Sequence, residues 1–271
     1  MHSIPVAMTI AGSDCSGGAG IQADLKTFQY FGVHGLSAVT CVVSETAKVV
    51  HTVHPVPVEL VSGQIMLLLD SFPVRAAKTG MLFSAAHVRA VAAILENNPG
   101  LRVVVDPVMT ASTGAPLIEP DAIECYRQLL FPLACLVTPN LHEAETLLGK
   151  KIPDESAFEA AAVELSLQFG TAVLLKGGHL DGSDCLDLLV SDGEIYHFRA
   201  ARIRVPGSHG TGCTLSAAIT AALACEEILP QAVKTAKNYL GQALRDSYQF
   251  KSPMGGIIHA LNQGTRIFSD T

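Results

Sequence analysis

A cysteine follows two closely spaced glycines in Arg204-Val205-Pro206-Gly207-Ser208-His209-Gly210-Thr211-Gly212-Cys213-Thr214. An alternating, strand-like run (Tyr196 to Val205) precedes this stretch, and a long uncharged, Ala-rich helical run (Leu215 to Cys225) follows it. The glycines therefore stand at a strand-to-helix junction. A helix N-terminus presents unpaired N–H groups and the positive end of its dipole, which together favour an anion such as phosphate. Gly210 and Gly212, on either side of Thr211, let the amides of residues 210–213 converge without side-chain obstruction. Cys213 falls in the first helical turn, where the same field stabilises a thiolate. The competing reading is a Gly-rich turn capping a buried helix, with Cys213 as a small core residue. The rest of the chain has to decide between them.

Other polar residues fall where predicted strands end. The run Pro5 to Ala11 leads into Gly12-Ser13-Asp14-Cys15-Ser16-Gly17-Gly18-Ala19-Gly20 and then a helical pattern, Ile21 to Phe31. Gly18 to Ala23 matches GxGxxA, with Glu45 as the ribose acid of a dinucleotide site. That fingerprint begins at a strand end, whereas polar or small residues intervene here, so we set it aside. The loop instead suits a small polar molecule, with Asp24 on the first helical turn either pointing at it or serving as a charge near a helix N-terminus. Asp106 ends the strand Arg102 to Val105, at the edge where open α/β sheets place ligands; capping the next turn is its structural alternative. Asn140 and Glu143 fit an N-cap and capping box, and equally a hydrated Mg²⁺ on a nucleotide; spacing does not separate the two roles. Lys176 closes the strand Thr171 to Leu175 beside Gly177 and Gly178, as a phosphate contact or a solvated side chain.

These positions need a scaffold. Extended runs at 35–44, 49–56, 74–78 and 133–138 alternate with helical patterns at 58–71, 85–97, 121–130, 155–169 and 230–248. Leu186 to Val190 and Glu194 to Phe198 pair through Asp192-Gly193, a type I′ hairpin signal. The expectation is a single α/β domain, a doubly wound and mostly parallel sheet flanked by helices, over residues 1–250, with 251–271 as a C-terminal appendage. The chain has 271 residues, 49% hydrophobic and 16% charged, enough for one large core. The 18 Lys and Arg form no run and the net charge is −7, so no nucleic-acid partner is expected. The longest uncharged stretch, Val205 to Cys225, carries Pro, His, Gly, Ser and Thr, which argues against a membrane span. Seven cysteines without a CxxC pair, and an N-terminus without a basic n-region, suit a reduced cytoplasmic protein.

Ala11 to Lys26, Lys78-Thr-Gly-Met-Leu82, Val105-Asp-Pro-Val-Met109, Thr138-Pro-Asn140, Lys176-Gly-Gly-His179 and His209 to Ser216 stand here in one family's order. Over residues 4 to about 248 the chain resembles the hydroxymethylpyrimidine/phosphomethylpyrimidine kinases of thiamine biosynthesis, a branch of the ribokinase-like superfamily. The resemblance implies ATP-dependent phosphorylation of 4-amino-5-hydroxymethyl-2-methylpyrimidine and then of its monophosphate, by a cytoplasmic homodimer. It implies that the Gly210–Cys213 turn is the anion hole and that Cys213 is the base, where sugar-kinase relatives carry Asp. Lys176 and Lys237 are assigned to the nucleotide phosphates, and Mg²⁺ to the neighbourhood of Asp106, Asn140 and Glu143. Gly12, Asp24, Glu45, Met81 and Val108 are implied to line the pyrimidine pocket.

Two positions depart from the pattern. The chain reads Val43-Ser44-Glu45-Thr46 where such kinases carry Thr-Ala-Gln-Asn, and His142 stands where Pro is common. The first departure leaves substrate choice open, with a pyridoxine/pyridoxal kinase of the same fold as the nearest alternative. A non-catalytic pyrimidine-binding protein is a second, although pure binding does not need an anion hole.

Overall fold

The computed structural model describes residues 4–109, 119, 121–178, 184–203, 205, 207, 209–253 and 255–264. Arg204, Pro206, Ser208 and His179 of the motifs quoted above lie outside them. In chain order, β1 (Val6–Asp14), α1 (Gly20–Tyr30), β2 (His34–Thr46), β3 (Val49–Pro55), α2 (Val58–Ser71) and β4 (Val74–Thr79) form the first part. Then come α3 (Ala85–Glu96), β5 (Arg102–Val105), α4 (Ala122–Cys125), β6 (Leu136–Val137), α5 (Leu141–Leu148), α6 (Glu155–Phe169) and β7 (Val173–Lys176). The chain continues through β8 (Asp184–Ser191), β9 (Glu194–Ala201), α7 (Thr211–Ala224), α8 (Leu229–Arg245), β10 (Tyr248–Lys251) and β11 (Ile257–Ala260).

Nine strands form one sheet in the order β3-β2-β1-β4-β5-β6-β7-β8-β9. The pairs from β2 through β7 are parallel, while β3, β8 and β9 pair antiparallel at the two edges. A mostly parallel sheet is what the alternating pattern calls for. The β8–β9 hairpin turns through Asp192 (φ 52°) and Gly193 (φ 80°), the left-handed pair that a type I′ turn requires.

Strand residues point alternately to the two faces, and each face carries its own core. Met8, Ile10, Ala77, Val103, Val105, Val137 and Val173 join the cluster under α2–α6. Ala7, Ala76, Val104, Leu136 and Leu174 join the cluster under α1, α7 and α8. A strand buried on both faces has no polar side to show, which explains the unbroken Val run of β5. The α7 helix is buried along Thr214 to Ala224, so its uncharged Ala-rich sequence is a packing requirement, not a membrane signal. No helix of the described residues is long and apolar enough to cross a membrane.

Two expected elements differ. Residues 121–130 do not form one regular helix: α4 passes into a π-helical turn (Tyr126–Leu130) and a 3-10 turn (Phe131–Leu133), where Pro132 cannot continue an α-helix. That turn occupies the start of the expected strand and leaves β6 two residues, Leu136 and Val137, between β5 and β7.

Candidate active site

The sheet order reverses at β1, which has β2 on one side and β4 on the other. Open α/β sheets bind ligands at such a switch point, outside the carboxyl ends of the strands. Asp14, Lys78, Asp106 and Lys176 all lie at or just beyond those ends.

The two glycine loops meet there. Gly210 caps α7 with φ 80°, and no side chain caps that helix. A Cβ on Gly210 would stand 1.9 Å from the carbonyl oxygen of Gly18, so only glycine permits the approach. Asp14 shapes the first loop. Its carboxylate accepts from the amides of Ser16 (2.7 Å), Ala19 (2.8 Å) and Gly18 (3.1 Å). His209 Nε2 lies 2.9 Å from Asp14 Oδ2 and joins the second loop to the first. Burial favours the neutral acid, but the bonds from His209, Ser16 and the loop amides outweigh it and hold Asp14 well below the usual carboxylate range. Burial likewise opposes charge on His209, yet Asp14 and Glu45 raise its pKa above the ordinary value.

On the far side of α7's first turn, Lys176 Nζ donates to Asp106 Oδ1 (3.0 Å), and Ser216 Oγ donates to Asp106 Oδ2 (3.1 Å). A Cβ on Gly212 would lie 3.5 Å from Lys176 Nζ and 3.6 Å from Asp106 Oδ2, so the glycine-rich turn and this ion pair border one space. Burial works against the Lys176 ammonium, but Asp106 and Glu143 raise its pKa. The Asn140–Glu143 capping box is present: Glu143 N donates to Asn140 Oδ1 (2.9 Å) and Asn140 N to Glu143 Oε2 (2.8 Å). Burial, aided by the Asp106 charge, pushes the Glu143 carboxyl up to about 7 despite Lys176 and two backbone amides. Lys237 lies on α8. It pairs with Asp187, whose Oδ1 accepts from the amide of Gly177, next to Lys176.

Beneath Cys213 lies an ion pair the sequence did not reveal. Lys78 Nζ donates to Asp24 Oδ1 (2.6 Å), both side chains are 0% exposed, and Thr9 Oγ1 donates to Asp24 Oδ2 (2.6 Å). Burial pushes the Asp24 carboxyl up against the pull of Lys78 and Thr9. Burial also opposes the Lys78 charge, but Asp24, Cys213 and Asp106 hold its ammonium above the ordinary range, so the proton resides on lysine. Asp24, expected at the pyrimidine pocket, is held by Lys78 and Thr9 with none of its side chain exposed. Its first-turn position pointed inward, and the partner that consumes it sits on β4.

Cys213 also needs correction. The helix N-terminus was expected to depress its thiol. Burial, reinforced by Asp24 and Asp106, instead pushes it up to about 11, and Lys78 only partly opposes that. Removing water from around a thiolate disfavours its charged form.

The expected pyrimidine side gathers more simply. Met81 joins Cys41 and Val43 in a small apolar cluster against which Val108 packs. Thr40 Oγ1 donates to the Met81 carbonyl (2.6 Å). A Cβ on Gly12 would lie 2.7 Å from Cys41 Sγ and 3.7 Å from Met81 Sδ, so glycine keeps this corner open. Glu45 is half-buried at the end of β2, and burial together with the Asp14 charge raises its pKa, against His209. Cys41 and His209 were not singled out by residue-type reasoning. An apolar cysteine in a strand carries no distinguishing signal, whereas a histidine directly before the second glycine loop does.

The sequence profile of the family described as phosphomethylpyrimidine kinase matches residues 14–257 and so spans both glycine loops. A hydroxymethylpyrimidine/phosphomethylpyrimidine kinase of Haemophilus influenzae is 43% identical over 248 residues, covering 90% of this chain and 92% of that protein. The solved phosphomethylpyrimidine kinase of Clostridium difficile superposes with a TM-score of 0.79 at 38% identity, covering 89% of this chain and 100% of that one. Pyridoxal kinase from Staphylococcus aureus, in complex with AMP-PCP and pyridoxal, gives 0.86 at 32% identity over 97% of this chain and 94% of that one. Both kinds of kinase share this backbone, so shape alone does not divide them. Sequence does: with a profile match across most of its length and 43% identity to a curated member, the chain belongs to the phosphomethylpyrimidine kinase family.

Proposed function

We propose that the chain transfers the terminal phosphoryl group of ATP to the hydroxymethyl oxygen of 4-amino-5-hydroxymethyl-2-methylpyrimidine, and then a second one to the resulting monophosphate. The observation that carries this is the convergence of the Gly210–Cys213 turn, the Lys176–Asp106 pair and the first glycine loop at one sheet edge. Phosphoryl transfer asks mainly for positioning and for charge neutralisation as negative charge spreads over the oxygens. The turn amides and Lys176 supply donors, and Lys237, tethered through Asp187, reinforces the same end of β7. A structure of a relative with AMP-PCP supports ATP as donor. Cys213 takes the hydroxyl proton as attack begins, acting from its thiolate form, which is the minor form near neutrality because burial pushes the thiol up to about 11.

Mg²⁺ fits the donor set. Asp106 and Glu143 are carboxylates whose charges interact, and Mg²⁺ is held by one or two carboxylates plus substrate phosphates. When bound, it neutralises charge on the phosphate oxygens. Exposed Leu60, Leu67 and Phe72 on and just beyond α2, with Val42 on β2 and Val49 on the edge strand β3, support a homodimer. Seven free thiols support a reducing, cytoplasmic setting.

The test is phosphorus NMR of the protein with MgATP and the pyrimidine, with pyridoxal in a parallel sample. Successive appearance of the monophosphate and pyrophosphate is expected. ATP and substrate left unchanged would return the chain to a pyrimidine-binding role, and preferential pyridoxal phosphate formation to a pyridoxal kinase.

A further inference from the structure

We infer that Gln263, on the C-terminal return of the chain, is a positioning residue for the transfer: it ties the first glycine loop to the first turn of α7. The inference rests on the phosphotransferase reading above. After α8 the chain makes the β10–β11 hairpin and comes back over the helix it has just left. Asn262 N donates to the carbonyl of Ala243 (3.2 Å), and Tyr239 O–H donates to the carbonyl of Gln263 (3.1 Å), so α8 fixes the backbone of this return. Leu261 and Gln263 are 4% and 3% exposed, in a segment that sequence reasoning treated as an appendage.

The Gln263 side chain spends both amide hydrogens on the site. Nε2 donates to Thr214 Oγ1 (2.9 Å) and to the carbonyl oxygen of Gly18 (3.2 Å). Thr214 follows Cys213 directly. The Gly18 carbonyl is the group that Gly210 abuts, and it belongs to the loop expected to hold the acceptor. One buried amide therefore fixes the separation between the acceptor loop and the helix that carries the proton acceptor. The hairpin reaches the same half of the site from outside: a Cβ on Gly256 would lie 2.8 Å from Lys48 Nζ, just past Glu45, and one on Gly207 would lie 3.4 Å from the Cβ of His259. A buried glutamine is costly unless both hydrogens find acceptors, and a packing role alone would be served by an apolar side chain. Small misplacements of reacting groups cost rate more than binding.

The experiment uses the full-length chain with Gln263→Met, which keeps the volume and removes the donors, and Thr214→Val, which removes one acceptor. Expected for Gln263→Met is a kcat lowered roughly 10- to 100-fold with the KM for ATP unchanged, measured well below the Tm. Faster amide exchange at residues 16–20 is expected as well. Thr214→Val should lower kcat in the same direction, and the double variant should be no slower than Gln263→Met, because the two changes remove the same bond. Parental kcat and parental exchange in Gln263→Met would overturn the inference, as would effects of the two changes that simply multiply. If Gln263→Met does not fold, Thr214→Val decides through the same two readouts. A parent protein without turnover indicts the phosphotransferase reading instead, and the exchange measurement still decides whether Gln263 holds the loop.

Discussion

Gly210 and Gly18 touch backbone to backbone, so closely that the smallest side chain on Gly210 would overlap the Gly18 carbonyl. Two loops from opposite ends of the chain thereby become one structure. Gly212 is different: an added methyl would meet Lys176 and Asp106 at ordinary contact distances and project between them. Gly210→Ala is expected to lower the Tm by several degrees and abolish turnover, because it meets both a positive φ and a collision. Gly212→Ala should keep the parental Tm and lose nucleotide affinity. Calorimetric titration with an ATP analogue, beside thermal melts, checks both; equal behaviour of the two variants would remove the distinction.

Cys213→Ala should slow the first transfer by roughly 10²–10⁴-fold while leaving ATP binding nearly intact. The second transfer should suffer less, since its nucleophile is already an ionised phosphate. With the thiol pushed up to about 11, the thiolate fraction of the free enzyme climbs throughout the neutral and mildly alkaline range. The parental kcat/KM should therefore rise from pH 7 to pH 9 without a plateau, and the alanine variant should lack that slope. A plateau near neutrality would mean that the helix field wins over burial after all.

Lys78 and Asp24 are a pair in which neither side chain is exposed to solvent. Breaking such a pair on one side leaves an uncompensated buried charge, at about 3–5 kcal/mol. Lys78→Met should lose stability on that scale in urea unfolding. Lys78→Met with Asp24→Leu should recover part of it, because no charge is then stranded. A single variant as stable as the double would show that the pair contributes nothing through its charge.

The contrast between these pairs also marks what the sequence made legible. Helices α2 and α6 stand where periodicity put them, and α6 has clear ends, with Asp154 accepting from the amide of Ala157 and Gly170 in the left-handed conformation. The strand-end residues Asp106 and Lys176 were legible as members of one cleft, because a parallel sheet has only one carboxyl edge. Their partners were not. Nothing in the order of residues says that Lys78 is consumed by Asp24, or that His209 reaches Asp14, since both pairings depend on which strands become neighbours. Gln263 escaped for a similar reason: a segment rich in Gly and without periodicity gives no sign that it turns back into the core.

Glu45 is where the chain leaves its family's pattern, and the structure places it in a telling setting. It is half-buried near Asp14 and His209, and burial with the Asp14 charge favours its protonated form. A glutamine can donate to a ring nitrogen and accept from an exocyclic amine; an ionised glutamate can only accept. To serve an aminopyrimidine edge, either Glu45 keeps a proton or the ring nitrogen carries one beside the carboxylate. In both cases a proton is lost as pH rises, so the parental KM for the pyrimidine should increase on the alkaline side. Glu45→Gln should remain active and flatten that rise. The same carboxylate, once ionised, opposes the phenolate of a pyridoxal-type ligand, so Glu45→Gln should also improve phosphorylation of pyridoxal. Lys48, the cation nearest in sequence, lies toward Gly256 on the C-terminal hairpin. Steady-state kinetics of both proteins from pH 6 to pH 9, on pyrimidine and on pyridoxal, provide the measurement. Superimposable profiles on both substrates would mean that Glu45 never meets the ring.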